Sequence, residues 1–436
     1  MKIVPNIINT LFFMFFMFFL ITTASASNVG DTFGSSPEGM ALGNAVTARV
    51  NDWSSPYYNI AGLGKTVGLE NAKNQIGLAY ISNYPSFDID INRTGIPGDN
   101  DLETGSFIIG GVLNTDFLVE LPSFISSARV GVLLALNDDF SAVAINDIDP
   151  RSHNFMRYGR ESQRLVVMGG LGLGFLDDKF GFGFGVNSAF GGDGNVAMLD
   201  VQLETDPQTP KGQAKMNMDV EQNLLFGAYY SPLEELDLGF SYKQETVLKI
   251  YPFNTVATTE VGGIDLNLIL ALVDYYYPET ITIGSAYSLG EYTMSFDLEY
   301  QKWSGFEMSP PMTINFGSEF KKFDDIIVPK LGLQYQMDSS IDLLFGYYYQ
   351  PSFVPHNALT GLLNMLDNDK HVLSCGFKWK VPDVSFIKAD MELSGGYQLQ
   401  ALMERDVAKT SPTALNPNYS FGGTCHSFMV GITLAL

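Results

Sequence analysis

From residue 75 to the end of the chain, apolar positions alternate with small or polar ones in runs of roughly ten residues, the signature of strands with two different faces. The last run shows it plainly. Phe428, Val430, Ile432, Leu434 and Leu436 share one face; Ser427, Met429, Gly431, Thr433 and Ala435 share the other. In Phe180 to Ser188, Phe180, Phe182, Phe184 and Val186 face one way and glycines face the other. Ile341 to Tyr349 behaves similarly. The pattern predicts strands over 75–81, 105–113, 128–136, 163–175, 180–189, 215–230, 236–249, 279–289, 292–304, 326–337, 341–350, 371–381, 390–404 and 426–436. That is fourteen, and single-chain bacterial membrane barrels require an even number.

The connections alternate as well. Leu176 to Lys179, Ser231 to Glu235, Gly290-Glu291 and Asp338 to Ser340 are tight turns. Between them run long polar connections: 82–104, 137–162, 190–214, 250–278, 305–325, 351–370 and 405–425. Short turns at one end and long loops at the other are the outer-membrane pattern. The turn 114–127 is longer than this scheme asks. Aromatic residues gather near segment ends, as in Tyr229-Tyr230, Tyr275 to Tyr277, Tyr347 to Tyr349 and Phe377 with Trp379, where rings would settle at headgroup depth. The expected fold is all-β: a transmembrane antiparallel β-barrel of about 14 strands.

The N-terminal part reads differently. Met1 to Ala26 has one basic residue, the apolar run Leu11 to Ile21, then Ala24 and Ala26 at A-x-A spacing, the marks of a cleaved secretory signal. Residues 27–70 have neither strand nor helix periodicity. They are rich in small and turn-forming residues yet carry Trp53, Tyr57 and Tyr58. They are expected to form a plug inside a barrel made by residues 71–436, because a ring of this many strands encloses a lumen too wide for side chains alone.

Composition narrows the picture. The 436 residues carry 43 glycines, 32 phenylalanines and 21 tyrosines, with a net charge of -23. Such acidity argues against nucleic-acid binding, which needs a basic surface. Parity places Cys375 on the apolar outer face and Cys425 on the inner face, so no disulfide is expected. There is no G-x-S-x-G motif, and His153, His356, His371 and His426 fall in loops or at their edges, so neither a catalytic set, a cofactor nor a metal site is expected.

Three stretches together resemble the FadL family of outer-membrane transporters. They are Gly43-Asn44-Ala45 with Asn59-Ile60-Ala61-Gly62-Leu63; Tyr277-Pro278-Glu279-Thr280 through Tyr300 to Trp303-Ser304; and Pro329 to Gly346-Tyr347, followed by Pro351, Pro355 and Asp367 to His371. Position 60 is isoleucine where the family usually has proline, and the chain ends in Leu436 instead of an aromatic residue. The resemblance implies a bacterial outer-membrane barrel that passively takes up long-chain fatty acids or hydrocarbons. Its hatch, with Asn59, Ile60 and Ala61 nearest the exit, would shift to release ligand sideways. The partners implied are a hydrophobic small molecule, outer-membrane lipid and lipopolysaccharide, and a monomer is expected. A general diffusion porin and a lipid-acting barrel enzyme are the alternatives.

Candidate ligand contacts follow from apolarity on the long-loop side. Leu266, Ile269, Leu270 and Val273, within Val261 to Tyr277, recur at i, i+3, i+4 and i+7, which predicts an amphipathic helix suited to a landing groove. Phe353, Leu359, Leu362 and Leu363 would form an opposing lip. Asp367, Asp369, Lys370 and His371 read as a salt-bridged loop base. Lys378 and Lys380 share the inner face, with Lys378 as a partner for a carboxylate headgroup and Lys380 expected to be the more buried.

Overall fold

The computed structural model describes residues 29–66, 74–91, 103–115, 121–137, 153–158, 165–199, 211–255, 268–306, 322–361, 364–384, 389–413 and 416–436. The expected signal segment lies outside the described residues. The ring is built from β1 (Gln75–Ile91), β2 (Thr104–Asn114), β3 (Ile125–Asn137), β5 (Val166–Phe175), β6 (Phe180–Leu199), β7 (Lys211–Leu233) and β8 (Leu236–Lys243). It continues through β11 (Glu279–Leu289), β12 (Tyr292–Lys302), β13 (Ile326–Gln336), β14 (Ile341–Gln350), β16 (Lys370–Val384), β17 (Ala389–Val407) and β18 (Tyr419–Ala435). These fourteen strands form one closed barrel, each hydrogen-bonded to its antiparallel neighbours, and β1 meets β18 to close it.

All fourteen segments read from the alternation coincide with ring strands, but several extend further at the long-loop end. The β6–β7 ladder runs on to Leu199↔Lys211, across much of the expected 190–214 loop. β1 likewise reaches Ile91, inside the expected 82–104 loop. In the β1 extension the alternation is inverted: Phe87 is buried and Ile89 and Ile91 half-buried, while Ser86, Asp88 and Asp90 are exposed, so the outward apolar face that marks a lipid-contacting strand is missing.

Some segments are shorter: 163–175 begins at Val166, 292–304 ends at Lys302, and one is cut by nearly half. The run expected over 236–249 leaves the ring at Lys243, and β9 (Thr246–Thr255) pairs instead with β10 (Leu268–Tyr277) as a separate two-stranded sheet. The amphipathic helix expected over 261–277 is therefore corrected to a strand over its described part. Leu268 to Tyr277 holds Leu, Ile, Val and three tyrosines, and a short apolar run of that kind fits either period until a pairing edge is present. The β9–β10 ladder has two register shifts, between Leu270 and Leu272 and between Val273 and Tyr275. A two-residue parallel bridge joins β4 (Asn154–Phe155) to β15 (Met365–Leu366).

Outward positions are apolar and exposed, among them Leu78, Phe182, Phe184, Ile283, Phe345, Leu373 and Val430. Inward positions are small, polar or charged and buried, among them Ser106, Arg129, Asp297, Gln398 and Ser427. This inversion of a soluble protein's surface is what a lipid-facing wall requires. Cys375 is exposed on the outer face and Cys425 buried on the inner face, as parity indicated.

Candidate functional site

The buried stretch from Val29 to Lys65 packs against the inner faces of the strands. It consists of α1 (Val29–Phe33), α2 (Pro37–Ala41), α3 (Ser55–Tyr58) and a 3-10 turn, Ile60–Gly64. Each element is only about a turn long and would not persist alone in water. Local chemistry starts two of them. Ser36 caps α2 by accepting from Gly39 N, with Pro37 at the first helical position. Asn59 caps the 3-10 turn by accepting from Ala61 N at 3.1 Å.

Glycines in the wall make the space. A Cβ on Gly183 would lie 2.5 Å from Ala61 N, and one on Gly227 would collide with the Asn59 side chain. The Ile60 side chain occupies the room left by Gly170 and Gly185. Across the lumen, Gly346 and Gly376 admit Leu42–Gly43 and Ala41. The Trp53 ring covers Gly77 and Gly110 and donates from Nε1 to the Thr433 hydroxyl at 2.8 Å.

Charged and polar groups tie the segment to the wall all round. Arg129 on β3 donates to the carbonyls of Asn51, Gly62, Leu63 and Lys65, gathering the acceptors at the end of the 3-10 turn. Lys65 pairs with Asp237 of β8 at 2.6 Å. Thr47 N donates to Asp297 of β12 at 2.9 Å, and Gln400 of β17 donates to the Thr32 carbonyl at 2.7 Å. Glu38 bridges Lys378 of β16 at 2.9 Å and Arg49 at 3.3 Å. Burial works to raise the Glu38 carboxyl, but the charges of Lys378 and Arg49 outweigh it and hold the group at about 2. Asp31 differs: burial pushes it up to about 6, against the pull of Lys243 and the Tyr57 hydroxyl. The Lys243 ammonium lies 3.6 Å from the Tyr57 ring centre.

Below, the turn Leu176-Asp177-Asp178 has three consecutive non-glycine residues with φ near +55° (52°, 55° and 59°). That conformation is costly for L-residues. Asp178 offsets it by accepting from Thr66 N at 3.0 Å and from the Ser127 hydroxyl at 3.4 Å.

Above the segment, Phe33 meets Tyr158, and Tyr158 meets Phe87 and Phe155 edge-on, with Phe421 behind. The buried Lys370 ammonium enters this cluster and bonds the Tyr158 hydroxyl and Gln400 Oε1, both at 3.2 Å. Arg157 pairs with Asp367 at 3.0 Å and lies 4.7 Å from the ring centre of Phe353, which stacks on Trp303 at 3.7 Å.

This geometry, a strand ring closed around its own N-terminal segment, was compared with known proteins. Residues 158–434 match the family described as outer membrane protein transport protein (OMPP1/FadL/TodX). The chain belongs to this family. It is 24% identical over 442 residues to alkane uptake protein A of Marinobacter nauticus, covering 95% of this chain and 92% of that protein. Its fold is similar to the P. putida toluene transporter TodX (TM-score 0.56, 12% identity, 93% of this chain and 99% of the other). It is also similar to a Pseudomonas aeruginosa FadL homologue (TM-score 0.54, 13% identity, 94% and 98%). This member of the OMPP1/FadL/TodX family is a bacterial outer-membrane barrel, with its tight turns on the periplasmic side and its long loops outside.

Within this family member, the residues singled out from sequence fall into distinct places. Trp53, Tyr57, Tyr58, Asn59, Ile60 and Ala61 are all buried in the lumen. Tyr57 and Tyr58 hold the segment to itself, through Asp31 and through Asn44 and Ser35. Asn59 Nδ2 donates to the carbonyls of Thr47 and Ala228 at 2.8 and 3.1 Å, so its amide is a structural crosslink to β7. Ile269, Leu270 and Val273 lie on β10; Leu266, Leu362 and Leu363 lie outside the described residues. Phe353 and Leu359 are fully buried. Of the two lysines it is Lys378, 12% exposed and paired with Glu38, that is the more buried, while Lys380 is 45% exposed beside Asp342. Asp367 to His371 is a loop base, with Asp369 accepting from Tyr349 and Ser352 and His371 facing outward against Tyr347. Sequence reasoning passed over Asp31, Arg49, Arg129, Asp178, Asp237 and Asp297. Parity could have marked Arg129, Asp237 and Asp297 as inward charges on strands, but their partners are more than 60 residues away.

Proposed function

We propose that this protein takes up hydrophobic compounds passively across the outer membrane, with residues 27–70 as the hatch and residues 71–436 as the barrel. The observation that carries the reading is a lumen filled by Val29–Lys65 beneath an outer cluster of buried aromatic rings. An apolar ligand gains about 0.8 kcal/mol for each CH₂ it buries, so such a cluster captures it where a water-filled pore would not. A general porin is disfavoured by the occupied lumen, and we assign no reaction. The protein is taken to act as a monomer amid lipopolysaccharide. The kinship with an alkane uptake protein favours a linear hydrocarbon as ligand.

A second reading, a fatty acid, is favoured by Lys370. Its buried ammonium is bonded to a phenol and an amide, and could take a carboxylate headgroup. Planar-bilayer conductance and uptake of labelled hexadecane and oleate separate the readings. Saturable uptake without large steady conductance is expected; a large open conductance would sink the proposal. Lys370→Met should abolish any preference for oleate while leaving hexadecane uptake intact. The gating role of Asn59 and Ile60 is open to the same assay: if Asn59→Ala and Ile60→Pro leave uptake untouched, the segment is a static stopper.

A further inference from the structure

The outer face of five neighbouring strands, β14, β16, β17, β18 and β1, changes character toward its long-loop end. Below the change the outward residues are apolar and exposed: Leu373, Phe377 and Trp379 on β16, Phe428 and Val430 on β18, Ile76 and Leu78 on β1. Above it, Ser86, Asp88 and Asp90 of β1 and Glu404 of β17 are exposed. At the change stand His371 of β16 and His426 of β18, both exposed, with Tyr84 of β1 opposite His426 in the ladder. From Leu436 to His426 is ten residues, which at a strand tilt of about 40° is a rise of about 25 Å, the height of a barrel's lipid-facing band. The two histidines therefore lie where the acyl chains of the outer leaflet end and its headgroups begin.

Each histidine is held by a tyrosine from a strand beside it. Tyr347 Oη lies 2.8 Å from His371 Nδ1 and Tyr397 Oη 2.9 Å from His426 Nδ1, with ring centroids 6.1 Å apart in both pairs. The register is the same too: Tyr347 is opposite Leu373 and Tyr397 opposite Phe428, each two residues below the histidine. With the phenol donating, Nδ1 accepts and the ring proton sits on Nε2, on the far side of the ring. Neither Nε2 has a partner among the described residues. The described outward positions of these five strands hold no lysine or arginine, so the two imidazoles are the groups on this face that can meet an anion.

We propose that His371 and His426 together bind the two phosphates of a bis-phosphorylated lipid A headgroup in the outer leaflet. The inference rests on the placement amid lipopolysaccharide above and is independent of which compound the barrel takes up. His371 is opposite Ala401, and Ala401 is opposite Thr424, two residues from His426. Two strand spacings across and two residues along put the histidines about 12 Å apart. They also lie level. The rung through Ile341, at the turn end of β14, passes Trp379 and Leu393 and reaches Ile432, four residues above the end of β18, so rungs climb toward β18. His426, two residues back down from Thr424, returns to the height of His371. A level pair at this spacing matches a disaccharide with a phosphate at either end and is too wide for one phosphodiester headgroup. Leu373, Phe377 and Phe428 below offer the apolar surface for its acyl chains, and Phe428 is packed between Tyr84 and Tyr397 with ring centroids at 6.2 and 5.0 Å. The carboxylates of Asp88 and Asp90 above repel a freely exchanging anion, so a phosphate is held here when its own lipid anchors it.

The test uses the full-length protein in detergent, freed of copurified lipid, and native mass spectrometry. The probes are bis-phosphorylated lipid A, its monophosphorylated and dephosphorylated forms, phosphatidylglycerol and inorganic phosphate. The native protein is expected to take one bis-phosphorylated lipid A roughly tenfold or more tightly than the dephosphorylated form. His371→Phe with His426→Phe keeps rings at headgroup depth and should lose that preference, with heat-modifiability on gels confirming a folded barrel. Either single variant should bind the bis- and monophosphorylated forms alike. Tyr347→Phe with Tyr397→Phe keeps the imidazoles but releases their orientation, and should weaken binding severalfold. An unchanged preference in the double histidine variant would overturn the site. Equal binding of phosphatidylglycerol, or displacement of lipid A by inorganic phosphate, would overturn lipid A as its ligand. Hexadecane uptake is a separate measurement on the same variants, so failure of this site and failure of the uptake reading are told apart.

Discussion

Lys378 faces the lumen by strand parity, and its ammonium lies 2.9 Å from Glu38 of the N-terminal segment. Removing one member of a buried pair is costly because the other charge is left without its partner. The pair is only part-buried, so Lys378→Met should loosen α2 by about 1–2 kcal/mol, read as faster amide hydrogen exchange over residues 37–41. The same pair sets a pH dependence. The Glu38 carboxyl is held at about 2 in the folded protein, below its ordinary 4.5. Its contribution to seating the segment is thus complete above pH 4.5 and is lost as pH falls toward 2. Protection of the amides over residues 37–41, taken relative to their intrinsic exchange at each pH, should fall across that acid range in the native chain. Glu38→Gln should remove this part of the loss of protection. Asp31, raised to about 6, acts in the opposite sense: its contribution is fully present below its ordinary 3.8 and fades as pH rises through 6.

Among the elements, the glycine-rich faces of β5, β6 and β7 have a function that periodicity alone did not disclose. Read from sequence, the alternating glycines of β6 are only the face opposite Phe180, Phe182 and Phe184. In the structure they are the negative of the 3-10 turn, shaped to admit Ile60 and Ala61. A side chain at Gly183 meets backbone at 2.5 Å and cannot be absorbed by a rotamer change. Gly183→Val is expected to leave the barrel folded and heat-modifiable but to displace the turn, seen as new protease sensitivity between residues 59 and 66 and raised ion conductance. Retention of native protection there would show that the wall yields instead. The correction at β10 belongs to this scale too. Ile269, Leu270 and Val273 satisfy helical spacing, yet β9 offers a pairing edge, and a short apolar run takes the period its neighbour provides.

For the whole molecule, closure without the N-terminal segment is a matter of strand count. β1 pairs with β18 along the full length of both, so the ring is closed by its own strands. Deleting residues 29–66 should leave a heat-modifiable barrel in the outer membrane and convert a poorly conducting protein into an open pore, measured as single-channel conductance. A deletion variant that fails to assemble would show that the segment is part of the folding nucleus.

The sequence by itself determined the wall. Alternation on fourteen segments, an even count, and short turns opposed to long loops are local properties of each strand and its lipid contact, so they survive without knowledge of any partner. It also led to the expectation of a plug in residues 27–70, because so many strands enclose a lumen too wide for side chains alone. The tertiary structure alone decided who meets whom across the lumen. Arg129 finds the carbonyls of the 3-10 turn, and Lys378 finds Glu38. Those contacts depend on the register of closure, which brings together residues as many as 380 positions apart and which no local pattern encodes.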